Sequence, residues 1–328
     1  MAKFLSTGCK NIDDLMDGGL VLGCPHALYG KFKNGKSIFA LQIACMCTRD
    51  EAHGGLGRPA LIYDTELFWS PTVFNTWYKY FRVRFPDLPV KPNIKIIQLT
   101  SIYELANELG FTINIHRKES KTEPVVSFPR KKSPADKPTK ETEQRSDWLE
   151  QSPVWKSFTK NDWGVVIIDS FTMLFKDVFE SAQQNFPGRS SAQRVFLSNI
   201  RALAARKNCV TLIVCHETAR TPWGGESIPY YIKHIIGIFE GNKTERGLYG
   251  DTSEAEKTGK PYEVWKRVRI ILRNRHPYLT DGAETAVMLE KDRGFCDTTV
   301  QPCNTSTATG IVIPDDSPVI IEIPQETT

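Results

Sequence analysis

The sequence has no CxxC pair, and its six histidines do not cluster at ligand spacing, which argues against a structural zinc site. No apolar run approaches the ~20 residues of a membrane span. The opening MAKFLSTGCK lacks the apolar stretch of a secretory signal. Eight cysteines in 328 residues are too sparse for a disulfide scaffold, and Cys45, Cys47, Cys209 and Cys215 sit in apolar contexts. They read as reduced thiols, so a cytoplasmic location is expected, nucleoid-associated if the source is prokaryotic. Strong charge of one sign is also missing: a net +4 permits a nucleic-acid partner without arguing for one. Internal repeats are absent. What is present is 40% hydrophobic residues against 24% charged, enough to bury a sizeable core and to exclude disorder throughout.

Composition divides the chain. Residues 114–150 mix Lys, Arg, Glu, Asp, Ser and Pro with few apolar side chains, and are expected to be a disordered insertion. Residues 241–261 read as a long polar hairpin loop, and 298–328 as a polar tail in which IVI and VIIEI each offer a short edge strand. Elsewhere PHALYG, PALIYDTE, IKIIQL, WGVVIIDS and VTLIVCHE are short, nearly continuous apolar runs, as strands covered on both faces are. Helical patterns fall between them at 36–49, 71–84, 101–110 and 191–206. Such alternation predicts one α/β domain over residues 1–297 with a mainly parallel sheet. Residues 264–273 and 284–290 predict antiparallel strands added at one edge.

The sharpest motif is Gly30-Lys31-Phe32-Lys33-Asn34-Gly35-Lys36-Ser37, a full GxxxxGKS after a strand and at the start of a helix, with Gly30 through Ile38 as candidate nucleotide-binding residues. Gly30 and Gly35 let the backbone wrap a phosphate, and amides at the helix start point at the anion. Lys36 supplies a cation for the β and γ phosphates, and the Ser37 hydroxyl is a candidate Mg²⁺ ligand. WGVVIIDS ends in Asp169, placed where a carboxylate can hold Mg²⁺ or its water opposite Ser37. ALIYDTE ends in Glu66, a candidate to orient or deprotonate an attacking water. A solvated strand end is the alternative reading. VTLIVCHE brings His216 to the same rim, and a satisfied structural histidine is its alternative.

With these four strand ends on the page, the chain resembles the ATPase core of the RecA/RadA recombinases, in particular archaeal RadA paralogues. The resemblance runs through Ser6-Thr7-Gly8, Ile12-Asp13, Leu15 and Gly18-Gly19-Leu20, then Asp64-Thr65-Glu66, VVIIDSFTMLF, FPGRSSAQ ahead of a long helix, and RHPYLTDGAE. It implies a RecA-like P-loop NTPase core with a C-terminal antiparallel extension, binding ATP and Mg²⁺ and acting on DNA in recombination or repair. By the same resemblance Lys36 and Ser37 hold nucleotide and metal, Asp169 supports the metal, Glu66 is the hydrolytic carboxylate, and Asp281 lies in the ATP cap. His216 falls where recombinases carry a Gln that senses the γ-phosphate. ATP would sit near a subunit interface, so self-association or a recombinase partner is implied.

Several departures point to a paralogue or accessory factor. The family's helix-hairpin-helix domain and oligomerisation linker have no counterpart ahead of residue 4, and the loop reads GKFKNGKS where GEFGSGKT is usual. LFWSPTVF follows Glu66 in place of an Arg-bearing segment. After His216, Arg220 and Lys233 are candidates for phosphate contacts, and Trp223, Tyr230 and Tyr231 for stacking on unpaired bases of single-stranded DNA. An ordinary surface loop is the alternative there. Lys266, Arg267, Arg269, Arg273 and Arg275 read either as a basic stripe or as a charged edge strand. The expected activity is a DNA-dependent ATPase; the competing expectation is an ATP-binding recombinase regulator with slow turnover. A KaiC-like signalling ATPase is a third reading, disfavoured by the FPGR segment.

Overall fold

The computed structural model describes residues 3–118, 121–127, 149–179, 186–218, 221–222, 227–232, 234–240, 266–272, 283–290, 293–297 and 321–322. In chain order these give β1 (Phe4–Leu5), α1 (Lys10–Leu15), β2 (Leu20–Val21), β3 (Pro25–Gly30), α2 (Lys36–Thr48), β4 (Ala60–Asp64), α3 (Pro71–Arg84), β5 (Ile94–Gln98) and α4 (Ile102–Glu108). There follow β6 (Thr112–Lys118), β7 (Lys121–Ser127), α5 (Pro153–Asn161), β8 (Val165–Asp169), α6 (Phe171–Phe179), α7 (Phe186–Lys207), β9 (Val210–Thr218) and β10 (Thr221–Pro222). Last come α8 (Ser227–Tyr231), β11 (His234–Glu240), β12 (Lys266–Leu272), β13 (Glu284–Glu290), β14 (Gly294–Asp297) and β15 (Ile321–Glu322).

The main sheet runs β14-β13-β12-β11-β3-β9-β8-β4-β5-β15. From β11 through β15 every neighbouring pair is parallel, and from β11 through β14 every pair is antiparallel. This is the α/β architecture, parallel with an antiparallel extension, that the alternating pattern predicts. Strand side chains alternate between two cores. Leu28, Ile62, Ile167, Leu212 and Ile236 face α1, α2 and α3, while Tyr29, Tyr63, Ile168, Ile213 and Cys215 face α4 to α7. Helix α2 is buried almost all round, from Phe39 to Thr48, because the sheet covers one side and the extension another.

The helices begin where the chemistry allows. Ser70 accepts a hydrogen bond from the Val73 amide with Pro71 at the first helical position, and Ser101 and Glu104 form a capping box. Arg84, half-buried at the end of α3, donates to the carbonyls of Gly8 (2.6 Å), Arg293 (2.9 Å) and Phe295. It thereby joins the N-terminal strap to the extension. All described cysteines are free thiols, and no described helix is long and apolar enough to cross a membrane.

Three expectations need correction. Strands β6 (Thr112–Lys118) and β7 (Lys121–Ser127) pair antiparallel inside and just ahead of the stretch expected to be disordered. Their β-branched residues Thr112, Ile113, Ile115, Val125 and Val126 favour extended backbone despite the surrounding charges. The FPGR segment does not precede α7 but forms its first turns. The basic run 266–272 is no edge, since β12 pairs with both β11 and β13. Of the two tail segments, VIIEI supplies β15 against β5; IVI and the 241–261 loop lie outside the described residues.

His26 is fully buried on β3 with its ring 4.8 Å from that of His234, and burial, with the neighbouring imidazole, pulls its pKa from the ordinary 6.5 down to about 3. The unfolded chain takes up this proton near 6.5, whereas the fold refuses it until about 3, so stability is full above 6.5 and falls as pH drops through that window. At pH 5 the loss from this group is about 2 kcal/mol. Urea unfolding at pH 7 and pH 5 checks this: wild type should lose that increment and His26→Gln should not.

Candidate active site

Strand register brings the candidate residues into one row. Ile238 of β11 is opposite Gly30 of β3, and Gly30 is opposite His216 of β9. On the other half, Asp169 of β8 is opposite Asp64 of β4, and Asp64 is opposite Gln98 of β5. These are the carboxyl ends of parallel strands, where open α/β sheets leave a crevice. The Gly30–Ser37 bend leaves the end of β3 and turns into α2 at the same rim.

The bend is held from both sides. A methyl group at Gly30 would lie 2.4 Å from the Ile238 carbonyl oxygen, and one at Gly35 would lie 2.5 Å from Leu289 and 3.2 Å from Phe295. Gly35 also has φ +82°, which side-chain-bearing residues rarely adopt. Asn34, almost fully buried, donates from Nδ2 to the Ile238 carbonyl at 3.0 Å. Lys31, Phe32 and Lys33 at the tip are exposed. Lys36 is buried and donates to the Lys31 carbonyl at 2.9 Å, so its ammonium lies inside the curve of the bend. Burial lowers its pKa, and the Asp169 and Glu66 carboxylates counter that shift. Ile38 follows as a half-buried residue of the first turn, packed against the core.

Asp169 is buried at the end of β8. Burial raises its pKa to about 7; the Ser37 hydroxyl, hydrogen-bonded to it, lowers it, and the nearby Glu66 and Asp64 charges raise it again. Its Oδ1 is buried with no hydrogen-bond partner. A buried carboxylate oxygen beside a serine hydroxyl is a hard, oxygen-only donor set. It suits Mg²⁺, which keeps several waters and takes its remaining ligands from phosphates. Among the described residues no group of three or more His, Cys, Asp or Glu could hold a metal alone.

Glu66 lies just past β4, and His216 Nε2 is 3.0 Å from its Oε1. That hydrogen bond is the main reason the Glu66 pKa is lowered, against the burial that would raise it. The His216 amide donates to Thr172 Oγ1 at 2.9 Å. Thr65 Oγ1 donates to the Ser170 carbonyl at 2.7 Å and accepts from the Ser170 amide at 2.8 Å, locking the ends of β4 and β8 together.

The structure thus gathers the Gly30–Ser37 bend, Glu66, Asp169 and His216 at one rim. Tyr230 is 66% exposed on α8 with its ring 5.0 Å from that of Tyr231, which packs partly against the core. Arg220, Trp223, Lys233 and Asp281 lie outside the described residues. Asn34 was a candidate only as a member of the bend; its bond to the Ile238 carbonyl, 204 positions away, had no sequence signal. One contributor escaped the sequence reading. Asp64 was visible only as a strand end; its signal was being a carboxylate inside an otherwise apolar run.

The family model described as Rad51 matches residues 3–85, which include the Gly30–Ser37 bend and Glu66. The chain is 42% identical over 67 residues to the DNA repair and recombination protein RadA of Methanocorpusculum labreanum, 20% of either chain. It is 37% identical over 68 residues to the DNA repair protein RAD51 of Mycosarcoma maydis, 21% of this chain and 20% of that one. The matches thus span about a fifth of these curated relatives' length. Over this N-terminal stretch the chain is similar in sequence to RecA/RadA-type recombinases.

Gly30→Ala should force the bend away from Ile238. Titration with a fluorescent ATP analogue should show affinity at least about tenfold weaker, a loss of ~1.4 kcal/mol, with the circular dichroism spectrum unchanged.

Proposed function

We propose that this protein is an ATP-dependent DNA-binding protein of the RadA-paralogue type, acting in homologous recombination or DNA repair. The observation that carries the reading is the row formed by the glycine-bounded bend, Lys36, Ser37, Asp169, Glu66 and His216 at one sheet rim. ATP with Mg²⁺ supplies the phosphoanhydride to be cleaved and a counter-charge for its oxygens. The backbone from Gly30 to Ile38 wraps the phosphates, with amides at the start of α2 facing them. Lys36 exchanges the Lys31 carbonyl for phosphate oxygens, and Ser37 and Asp169 hold the metal. Asp169 would hold that metal as a carboxylate, a form that burial and the neighbouring Glu66 and Asp64 charges otherwise disfavour.

Glu66 is the hydrolytic carboxylate. Held ionised by His216, it orients the attacking water and accepts its proton late, because a lowered pKa makes it a weak base. His216 touches Glu66 with its ring and stands at the head of the segment running through β10 and α8. A γ-phosphate that draws Glu66 or His216 away from this contact would shift that segment, where Tyr230 offers a stacking face to single-stranded DNA. DNA binding and ATP binding then strengthen each other by the same factor. Exposed Phe32, Leu67 and Phe68 on this rim favour association with a second copy or a recombinase across the site.

One observation supports a slower regulator: the His216 ring is hydrogen-bonded to Glu66 and engages the carboxylate that hydrolysis needs. The two readings part on turnover. With single-stranded DNA present, wild type should hydrolyse ATP measurably faster and bind DNA more tightly with ATP than without. Lys36→Ala should lose both effects. Glu66→Gln should keep ATP and DNA binding while hydrolysis drops about a hundredfold or more. A DNA affinity indifferent to ATP defeats the coupling; hydrolysis too slow to measure beside intact ATP binding favours the regulator.

A further inference from the structure

Asp64 is a fully buried carboxylate beside the acids already described. Its carboxylate accepts hydrogen bonds from the backbone amides of Glu66 at 3.3 Å, Phe68 at 3.2 Å and Trp69 at 2.9 Å. The Gln98 side-chain amide adds a further donor at 3.3 Å and also donates to the Trp69 carbonyl at 3.2 Å. One side chain therefore gathers the whole turn that carries Glu66 out of β4. That turn needs gathering. Leu67 sits at φ +53°, an uncommon conformation for a branched residue, and Leu67 and Phe68 expose 53% and 43% of their surface. Trp69, by contrast, is fully buried and anchors the far end. A second carboxylate this near Asp169 also raises the cost of ionising that acid, an expensive arrangement for a feature serving only to close a surface turn.

We propose that Asp64 is a positioning residue for the hydrolytic step: it collects the 66–69 amides so that the Glu66 carboxylate is delivered to His216 and to the water attacking the γ-phosphate. The inference rests on the ATPase reading above for its last clause alone. An asparagine tests it well, because its amide group must point donors at one or more of the three backbone donors that the carboxylate accepts from. A three-amide clamp is the kind of interaction whose loss shows in kcat rather than in KM, since the phosphates are held by the bend and not by this turn.

Three measurements on the full chain decide the matter. In hydrogen exchange, Asp64→Asn should speed exchange of the Glu66, Phe68 and Trp69 amides by about tenfold or more relative to wild type. In steady-state ATP hydrolysis, it should lower kcat by about tenfold or more while KM for ATP and binding of a fluorescent ATP analogue change less than about twofold. Placed on Glu66→Gln, it should lower the residual rate no further, because it acts through Glu66. Unchanged exchange, an effect confined to KM, or an undiminished loss on the Glu66→Gln background overturns the proposal. If Asp64→Asn does not fold, Gln98→Ala, which removes one donor to the same carboxylate, should move exchange and kcat in the same direction by a smaller factor; no movement of either overturns it. A wild type that hydrolyses no ATP defeats the ATPase reading, and the exchange comparison still decides whether Asp64 holds the turn.

Discussion

A carbonyl oxygen at Ile238 sets the position of the site. It approaches β3 so closely that only glycine fits at position 30, and it accepts the Asn34 amide that closes the loop. The bend therefore cannot slide along the rim or open outward without breaking a buried hydrogen bond or a backbone contact. From the other side Leu289 and Phe295 leave no space at Gly35. Everything else in the site depends on this clamp. It aims the first amides of α2, fixes where the Lys36 ammonium rests, and decides which carboxylate Ser37 can reach.

Within that frame three acids crowd a small space. Asp64, Asp169 and Glu66 converge at neighbouring strand ends against one buried ammonium, and the protein manages the excess in three ways. Glu66 is relieved by an imidazole, and Asp64 is shared among backbone amides. Asp169 is left close to neutrality, with an oxygen that nothing in the described protein satisfies. A polar atom left unsatisfied in a buried place is costly and rare, and it is tolerated most readily where a ligand completes it.

Much of this could be read from the residues alone. Strands buried on both faces must be apolar along their length, so β3, β4, β5, β8 and β9 announced themselves, and their terminal Asp or His stood out against that background. The GxxxxGKS spacing carried its own geometry because glycine is obligatory where backbone comes close. The antiparallel extension was legible as a pair of strands, but not its role as a wall of the bend, since Leu289 and Phe295 are ordinary apolar residues far away in sequence. The β6–β7 pair hid because charged residues dilute its β-branched ones. The Asp64 clamp hid because backbone amides have no side-chain signature. Register, which aligns Gln98, Asp64 and Asp169, is a property of the pairing and not of any single segment.

The wall contributed by the extension has a bearing on how the protein is made. Gly30 to Ser37 are translated well before β11, β13 and β14. Until those late strands dock, the emerging polypeptide carries the motif with neither its backstop at Ile238 nor its lining at Leu289 and Phe295. The bend thus gains its walls only once those strands have been made, when Arg84 can also reach the carbonyls of Arg293 and Phe295 and fasten the N-terminal strap to the extension.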